Sequence, residues 1–247
     1  RGTLSEHFNT ANGLASNDVW GTLEDKYKRI WLATYGGINI YDPVKEKLYL
    51  LKLPDNLSTN NHRSLSLLDE DHVLVGTLQG FSIIDLRKKT ITAYRSTRAT
   101  ARLFWRGIKD KDGILWLSSN NGVIKFNPDK NLMWKVDEKS GLIANSVWFL
   151  VPDQQGRIWL CTAKGMNVID PKENTILALG KKNGLTSDYS SIVIETSKGE
   201  MAIGGDKGLS IINQQRNLIT NVTAKEGLIP ESIYDMTELN GRIQIGS

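Results

Sequence analysis

The stretch YRSTRATARLFWRG, from Tyr94 to Gly107, concentrates positive charge beside flat aromatic rings. It contains four arginines, and the longer segment from Leu86 to Lys109 carries eight cations and no acid. A guanidinium group pairs bidentately with a carboxylate or a sulfate. The stretch therefore has the chemistry of a docking site for an acidic ligand. A solvated basic surface would have the same composition, and this alternative stays open.

Other side chains that could do chemistry are scattered along the chain. His7, His62 and His72 show no metal-ligand spacing, and Cys161 follows an apolar tripeptide typical of a buried strand. A glycosidase needs two carboxylates about 5–10 Å apart. The sequence nominates no such pair, and turn formation explains its recurrent aspartates. We therefore expect no catalytic residue, no metal and no cofactor.

The composition indicates a soluble globular protein with a substantial core. The 247 residues are 40% hydrophobic and 23% charged, and the formal net charge of +4 is too small to indicate nucleic-acid binding. No apolar run approaches the roughly 18 residues that suggest a membrane helix. The N-terminal RGTLSEHFNT does not resemble a signal peptide, and a single cysteine excludes an internal disulfide framework.

A repeat of 42 or 43 residues dominates the chain. Its clearest marker is an apolar tripeptide, followed six residues after its centre by glycine in the first five units. The tripeptide centres are Trp31, Leu74, Trp116, Trp159, Ala202 and Gln244. Apolar residues alternate with a period of two within each unit, and Asp, Gly and Pro separate the runs. This pattern predicts four antiparallel strands per unit, which is typical of a β-propeller blade.

We predict an all-β propeller with five complete repeats and partial ones. In the fourth unit the strands are expected at about 146–151, 157–162, 166–169 and 175–179. The blade boundaries are placed at 13–55, 56–97, 98–140, 141–183, 184–226 and 227–247, after an outer strand of a preceding blade in 1–12. Joining the two ends would leave one blade short of a strand. We therefore expect the chain to be a fragment of a larger propeller.

One face of this propeller has the composition of a sugar-binding surface. Loops that enter the first strands and hairpins between second and third strands open on the same face. They carry amides, charges and aromatic rings, which suit the hydroxyls and C–H faces of a sugar. The candidate ligand-binding residues are Asn17, Trp20, Tyr35, Arg102, Trp105, Arg106, Asn145, Trp148, Lys164 and Asp188.

Structural roles compete with ligand binding at these positions. A polar residue at the mouth of a first strand often satisfies backbone groups in its own loop. Core packing is the alternative for Trp20, Trp105 and Trp148. For the second-strand residues Trp31, Trp116 and Trp159, packing between blades is the expected role.

Two units resemble the two-component regulator propeller repeat. The pattern G-L-x-x-N-x-V, followed by D-x-x-G-x-[IL]-W-[IL], is clearest in GLIANSVWFLVPDQQGRIWLCTAKGMNVIDP, residues 141–171. GLASNDVWGTLEDKYKRIWLATYGGINIYDP, residues 13–43, nearly matches it but has Lys28 in place of the glycine. The third unit keeps only the second half of the pattern. The other units lack its tryptophan.

This resemblance implies the periplasmic sensor region of a hybrid two-component histidine kinase. Such sensors usually combine two propellers, a β-sandwich spacer, one membrane helix and cytoplasmic signalling domains. They often detect an oligosaccharide and switch on the genes for its degradation. The partners implied are therefore an oligosaccharide, a second propeller and other domains of the same sensor, and a second copy in a homodimer, with no nucleic acid.

Two other functions stay open at this point. The propeller could serve only as a scaffold that packs against a second propeller or a dimer partner. It could also be a carbohydrate-active enzyme, although the sequence lacks a carboxylate pair. In the register of the repeat, Arg102 takes the position of Asn17 and Asn145, and Trp105 that of Trp20 and Trp148. An acidic oligosaccharide is therefore a testable refinement of the sensor hypothesis.

Overall fold

The computed structural model describes residues 7–51, 64–78, 80–95, 103–229 and 231–247. Within them the fold is all-β, with five four-stranded sheets, one two-stranded sheet and four single turns of 3₁₀ helix. No helix in these ranges is long and apolar enough to cross a membrane. The chain divides into two compact units, Arg1–Gly107 and Ile108–Ser247.

The first unit contains two complete sheets with sequential strand order. The first sheet consists of β1 (Val19–Glu24), β2 (Ile30–Thr34), β3 (Gly37–Asp42) and β4 (Lys47–Leu51). The second consists of β5 (Ser64–Asp69), β6 (His72–Gly76), β7 (Gly80–Asp85) and β8 (Thr90–Arg95). A 3₁₀ turn, Thr10–Asn12, precedes β1. The predicted outer strand in residues 1–12 lies largely outside the described residues.

The remaining sheets repeat this arrangement. The third contains β9 (Phe104–Lys109), β10 (Leu115–Ser119), β11 (Gly122–Asn127) and β12 (Leu132–Val136). The fourth contains β13 (Val147–Pro152), β14 (Ile158–Thr162), β15 (Gly165–Asp170) and β16 (Thr175–Leu179). The fifth contains β17 (Ser190–Glu195), β18 (Met201–Gly205), β19 (Gly208–Ile212) and β20 (Ile219–Val222), and the last contains β21 (Asp235–Leu239) and β22 (Arg242–Gly246). The 3₁₀ turns Glu138–Ser140, Lys181–Asn183 and Ala224–Glu226 precede β13, β17 and β21.

The predicted propeller blades are confirmed, and the four strands expected in the fourth unit agree with the structure to within about a residue at most of their ends. All neighbouring strands with a described register pair antiparallel, as in the fourth sheet, where Trp159 lies opposite Val151 on one side and Val168 on the other. The recurrent hairpin glycine is required by its backbone. Gly122 has φ +97°, and a Cβ atom there would lie 2.3 Å from the carbonyl oxygen of Val136.

The second-strand tryptophans pack between consecutive sheets, as predicted. Trp31, Trp116 and Trp159 are each at most 2% exposed. Trp116 belongs to a core cluster that includes Val147 of the next sheet, and Trp159 to one that includes Val193. Cys161, two residues after Trp159, is fully buried in the same cluster. This confirms the prediction that it is a buried residue of a strand.

Each of these tryptophans is also held by an aspartate from the turn before it. The indole Nε1 of Trp159 donates to Oδ2 of Asp153 at 2.9 Å, and Oδ1 of the same aspartate accepts the backbone N–H groups of Gln155 and Arg157. The same indole–carboxylate bond, at 2.8 Å, joins the residues of two other pairs. These are Trp31 with Asp25 and Trp116 with Asp110. The aspartates form the turns, as predicted, and they also fix the core tryptophans.

We expect Asp153→Asn to destabilise the fold by about 3 kcal/mol, because Arg157 would lose a buried counter-ion. Burial raises the pKa of Asp153, but hydrogen bonds from Trp159 and Arg157 outweigh it and hold the pKa below its ordinary value. A carboxyl with a lowered folded pKa stabilises above its unfolded pKa of about 4 and loses this effect as the pH falls further.

Urea unfolding at about pH 7 and about pH 3 tests this expectation. The difference between wild type and Asp153→Asn should shrink at the lower pH. Asp129→Asn, at an exposed turn position, is the control and should change stability by less than about 0.5 kcal/mol. Equal effects of the two substitutions at neutral pH would contradict a special role for Asp153.

Candidate functional site

Loops that enter first strands meet the hairpins between second and third strands at one edge of the sheets. In the second unit, Gly208 donates its backbone N–H to the carbonyl of Glu231 at 2.9 Å, and Ile233 donates to Gly205 at 2.9 Å. In the first unit, Tyr35 donates to Asp18 at 3.2 Å. We call this edge the loop edge. The prediction that the two kinds of connection share one face is thus confirmed within each unit.

Buried polar side chains of the third strands hold the entering loops in place. Asn39, Asn167 and Ser210 are each at most 1% exposed. Each accepts a backbone N–H from the loop, at 2.8 Å from Ala15, 2.9 Å from Ile143 and 3.0 Å from Thr186. Because these acceptors belong to strands, the loop edge rests on a rigid base.

In the four described loops, the polar residue that recurs near the end of the loop has a defined structural role. Its side chain accepts the backbone N–H of the residue seven positions earlier, at the start of the 3₁₀ turn. The pairs are Asn17 with Thr10, Asn145 with Glu138, Asp188 with Lys181 and Glu231 with Ala224, at 2.8–3.0 Å. One oxygen of each side chain is therefore engaged in its own loop, and ligand contacts by Asn17, Asn145 and Asp188 stay predictions.

The first unit places three predicted residues at the loop edge. Asn17 is exposed, Trp20 is 52% exposed at the start of β1, and Tyr35 is 50% exposed in the β2–β3 hairpin. Trp105 and Arg106 are half-buried in β9. Arg102 lies outside the described residues.

In the second unit, three aromatic residues from consecutive repeats lie at the loop edge. The ring centroids of Trp148 and Tyr189 are 5.4 Å apart, and Nε1 of Trp148 donates to the carbonyl of Ser190 at 3.0 Å. Burial raises the pKa of Tyr189, with further contributions from nearby Tyr234 and Asp206, so its hydroxyl stays protonated at neutral pH. We call Trp148, Tyr189 and Tyr234 the aromatic platform.

Polar groups border this platform. Ser187 donates its hydroxyl to the carboxylate of Asp206, which is exposed in the β18–β19 hairpin. Tyr234 is 65% exposed. The platform therefore combines apolar ring faces with a carboxylate and phenolic hydroxyls, which can accept and donate hydrogen bonds.

Two other predicted residues meet at a neighbouring loop. Nδ2 of Asn145 donates to Glu138 at 3.2 Å, and Nζ of Lys164 lies 4.0 Å from a carboxylate oxygen of the same glutamate. The lysine and glutamate side chains are 69% and 46% exposed, so their pairing contributes little to stability. Lys164 is therefore available at the loop edge beside the capping asparagine.

Sequence reasoning missed Tyr189 and Glu138. The comparison of repeats used the position three residues after the capping residue, which finds Trp148 and Tyr234, whereas Tyr189 follows its capping residue directly. The corresponding residues of the other described loops are Asp18, Ser146 and Ser232. The signal in the sequence was a tyrosine directly after the capping residue, where the other described loops have a small or acidic residue.

No group of three or more His, Cys, Asp and Glu side chains in the part of the chain that the structure describes could hold a metal ion. His72 lies at the opposite edge, where its Nδ1 is 2.6 Å from Asp69.

The family model of the two component regulator propeller matches residues 13–36 and 141–164. These two segments thus match the repeat of this family. Each runs from the loop glycine through the first strand and the aspartate–tryptophan pair to the next hairpin. The comparison with curated proteins gave no match.

Solved structures share the fold at low sequence identity. One is the extracellular domain of BT3049 from B. thetaiotaomicron, named as a hybrid two component system, with TM-score 0.77, 18% identity and coverage of 95% of this chain and 33% of that chain. The extracellular domain of BT4673 from the same organism, named as a one component system, has TM-score 0.74, 15% identity and coverage of 98% and 33%. This chain thus spans about a third of each.

A lyase shares the fold as well. Virginiamycin B lyase from Staphylococcus aureus, as a catalytically inactive histidine-to-alanine variant with quinupristin, has TM-score 0.67, 11% identity and coverage of 92% and 83%. At sequence identities this low, structural similarity shows only that the proteins share the propeller fold.

The capping role generates a prediction at Asp188, because the N-cap residue of the 3₁₀ turn Lys181–Asn183 is Gly180, which has no side chain to cap the turn. We expect Asp188→Ala to lower the free energy of unfolding by about 1 kcal/mol, because the Lys181 N–H loses its acceptor. Asp188→Asn should retain most of the stability, since asparagine caps the loops at Asn17 and Asn145. Urea unfolding of both variants measures the difference, and equal losses would argue against capping.

Proposed function

We propose that this chain is the ligand-sensing propeller of an extracytoplasmic two-component sensor. In this proposal it binds an oligosaccharide at the loop edge, in the periplasm, and signals to a histidine kinase that regulates glycan-utilisation genes. Two repeats of the regulator propeller family and the fold shared with extracellular sensor domains support the sensor assignment. The aromatic platform of Trp148, Tyr189 and Tyr234 is the observation that supports an oligosaccharide as the ligand.

The platform has the properties that a sugar requires. Aromatic rings pack against the C–H faces of a pyranose, and phenolic hydroxyls and carboxylates hydrogen-bond to its hydroxyl groups. The indole N–H of Trp148 is already bonded to Ser190, which fixes the ring before a ligand arrives. A surface ordered in advance loses less entropy on binding.

Signalling in this proposal works through a shift in population. The ligand would favour one arrangement of the propeller against its partners, which we take to be a second propeller, other domains of the sensor and a second copy of the chain. A ligand changes such an equilibrium only when it binds one arrangement more tightly than the other.

The enzyme hypothesis has less support. The named lyase loses activity on replacement of one histidine. In the described part of the first unit, Nδ1 of His72 is engaged with Asp69 in the turn between β5 and β6. We therefore favour a sensor without catalysis.

Calorimetric titration with neutral and acidic oligosaccharides tests the proposal. We expect at least one oligosaccharide to bind, and Tyr234→Ala to weaken its binding about tenfold, which corresponds to the loss of about 1.4 kcal/mol. Trp134→Ala is the matched control, because Trp134 is 47% exposed on the outer strand β12. It should change the affinity by less than about twofold.

Each other outcome of the titration favours a different function. Binding of no oligosaccharide would favour the scaffold, and cleavage of a glycosidic bond during titration would favour an enzyme. Equal weakening by Tyr234→Ala and Trp134→Ala would place the ligand away from the platform.

The arginine-rich stretch generates a separate prediction about ligand charge. If the oligosaccharide is acidic, replacing Arg102 and Arg106 with alanine should weaken binding of a charged oligosaccharide more than that of a neutral one. Because Arg106 is half-buried, loss of its side chain could disturb folding, so the single variant Arg102→Ala is measured as well. Lys207→Ala, which removes an exposed loop-edge charge in the second unit, is the control. Equal effects on charged and neutral ligands would contradict an acidic ligand at this stretch.

A further inference from the structure

The edge opposite the loop edge carries a basic groove in the first unit. This edge, the turn edge, is formed by the turns between β1 and β2, between β3 and β4, and by their counterparts in the second sheet. A groove of about 530 Å³ lies there between the first two sheets. Four cations, one acid and one exposed tyrosine are among its lining residues. They are Arg29, Lys45, Arg87, Lys89, Asp42 and Tyr27.

The single acid of the groove is committed to its own turn. Oδ1 of Asp42 accepts the backbone N–H groups of Val44 and Lys45, and Oδ2 lies 3.2 Å from Nζ of Lys45. The Asp42 side chain is 12% exposed, whereas that of Lys45 is 65% exposed. The acid therefore lies beneath the cation, and positive charge faces the solvent.

The other cations of the groove are only partly neutralised. Arg29 pairs with the fully buried carboxylate of Asp25, with its guanidinium 5.0 Å from the ring centroid of Tyr27. Arg87 is 71% exposed and approaches Asp71 only to 4.0 Å. Within the described residues no acid pairs with the ammonium group of Lys89. An anion entering the groove would therefore find cations with unused hydrogen-bond donors.

Turn formation does not account for this charge. Lys89 has a left-handed backbone with φ 56°, a conformation more often taken by asparagine than by lysine. In the second unit Asn131 and Asn174 occupy the equivalent turn position, with φ 49° and 52°. Asp129 stands in the repeat where the second sheet has Arg87. The third sheet thus builds the same turn without a cation at either of these two positions.

We propose that this groove binds a compact anionic ligand carrying two or more sulfate, carboxylate or phosphate groups. Its volume lies within the range of small-molecule sites. Arginine and lysine side chains supply charge-assisted hydrogen bonds to such groups. The ring of Tyr27, 48% exposed, and the side chain of Val44, 86% exposed, offer apolar surface to the body of the ligand. The site is separate from the aromatic platform and does not depend on the proposed oligosaccharide.

Sucrose octasulfate and sucrose form a matched pair of ligands for a calorimetric test at about 0.15 M salt, where distant charges are screened. We expect the octasulfate to bind and sucrose not to bind. The double variant Arg87→Ala/Lys89→Ala should weaken octasulfate binding about tenfold or more. Trigalacturonate and inorganic phosphate, as competitors, distinguish carboxylate and phosphate recognition from sulfate recognition.

The control removes the same charge elsewhere on the same kind of turn. Lys130 and Lys172 are exposed residues of the outer turns of the third and fourth sheets. Lys130→Ala/Lys172→Ala should change octasulfate affinity by less than about twofold if the groove is the site. If the two double variants weakened octasulfate binding equally, the loss would reflect net charge alone, and this result would overturn the groove as the binding site. Absence of octasulfate binding would overturn the proposal, as would binding lost in Arg102→Ala but retained in Arg87→Ala/Lys89→Ala.

Discussion

The hydrogen bond between a turn aspartate and a buried indole is the interaction on which the blade structure depends. Asp153 closes the turn between first and second strands and holds Trp159, whose ring packs against the following sheet. One side chain thus links local turn geometry to contact between sheets. The same link recurs at Asp25 and at Asp110, so the core is organised from the turn edge.

The loop edge is stabilised by other contacts than the bonds between aspartate and tryptophan. Its outward residues can therefore differ from one repeat to the next. Buried polar groups such as Asn167 anchor the entering loops, and capping residues such as Asn145 close their 3₁₀ turns. Neither requirement constrains the residues that follow the capping position. The chain carries Trp20, Trp148 and Tyr189 there, and the function that we propose assigns these exposed or half-buried rings to ligand recognition.

The sequence predicted the strands well because their boundaries are set by local chemistry. Glycines such as Gly122 mark hairpins that need a positive φ, and the tryptophans mark the second strands. Site residues were harder to predict, because a polar side chain such as Asn145 has the same sequence signature whether it caps a turn or binds a ligand. The basic groove was not foreseen, since Arg29, Lys45 and Lys89 come from three turns that only the packing of two sheets brings together.

In the function that we propose, the aromatic platform at the loop edge recognises a saccharide. A glycan array of neutral and acidic oligosaccharides, incubated in parallel with the chain and with its Tyr189→Ala variant, tests it most directly. We expect the chain to bind at least one class of glycan and the variant to lose this signal. An array without any bound glycan, or one on which the variant binds as strongly as the chain, would contradict it.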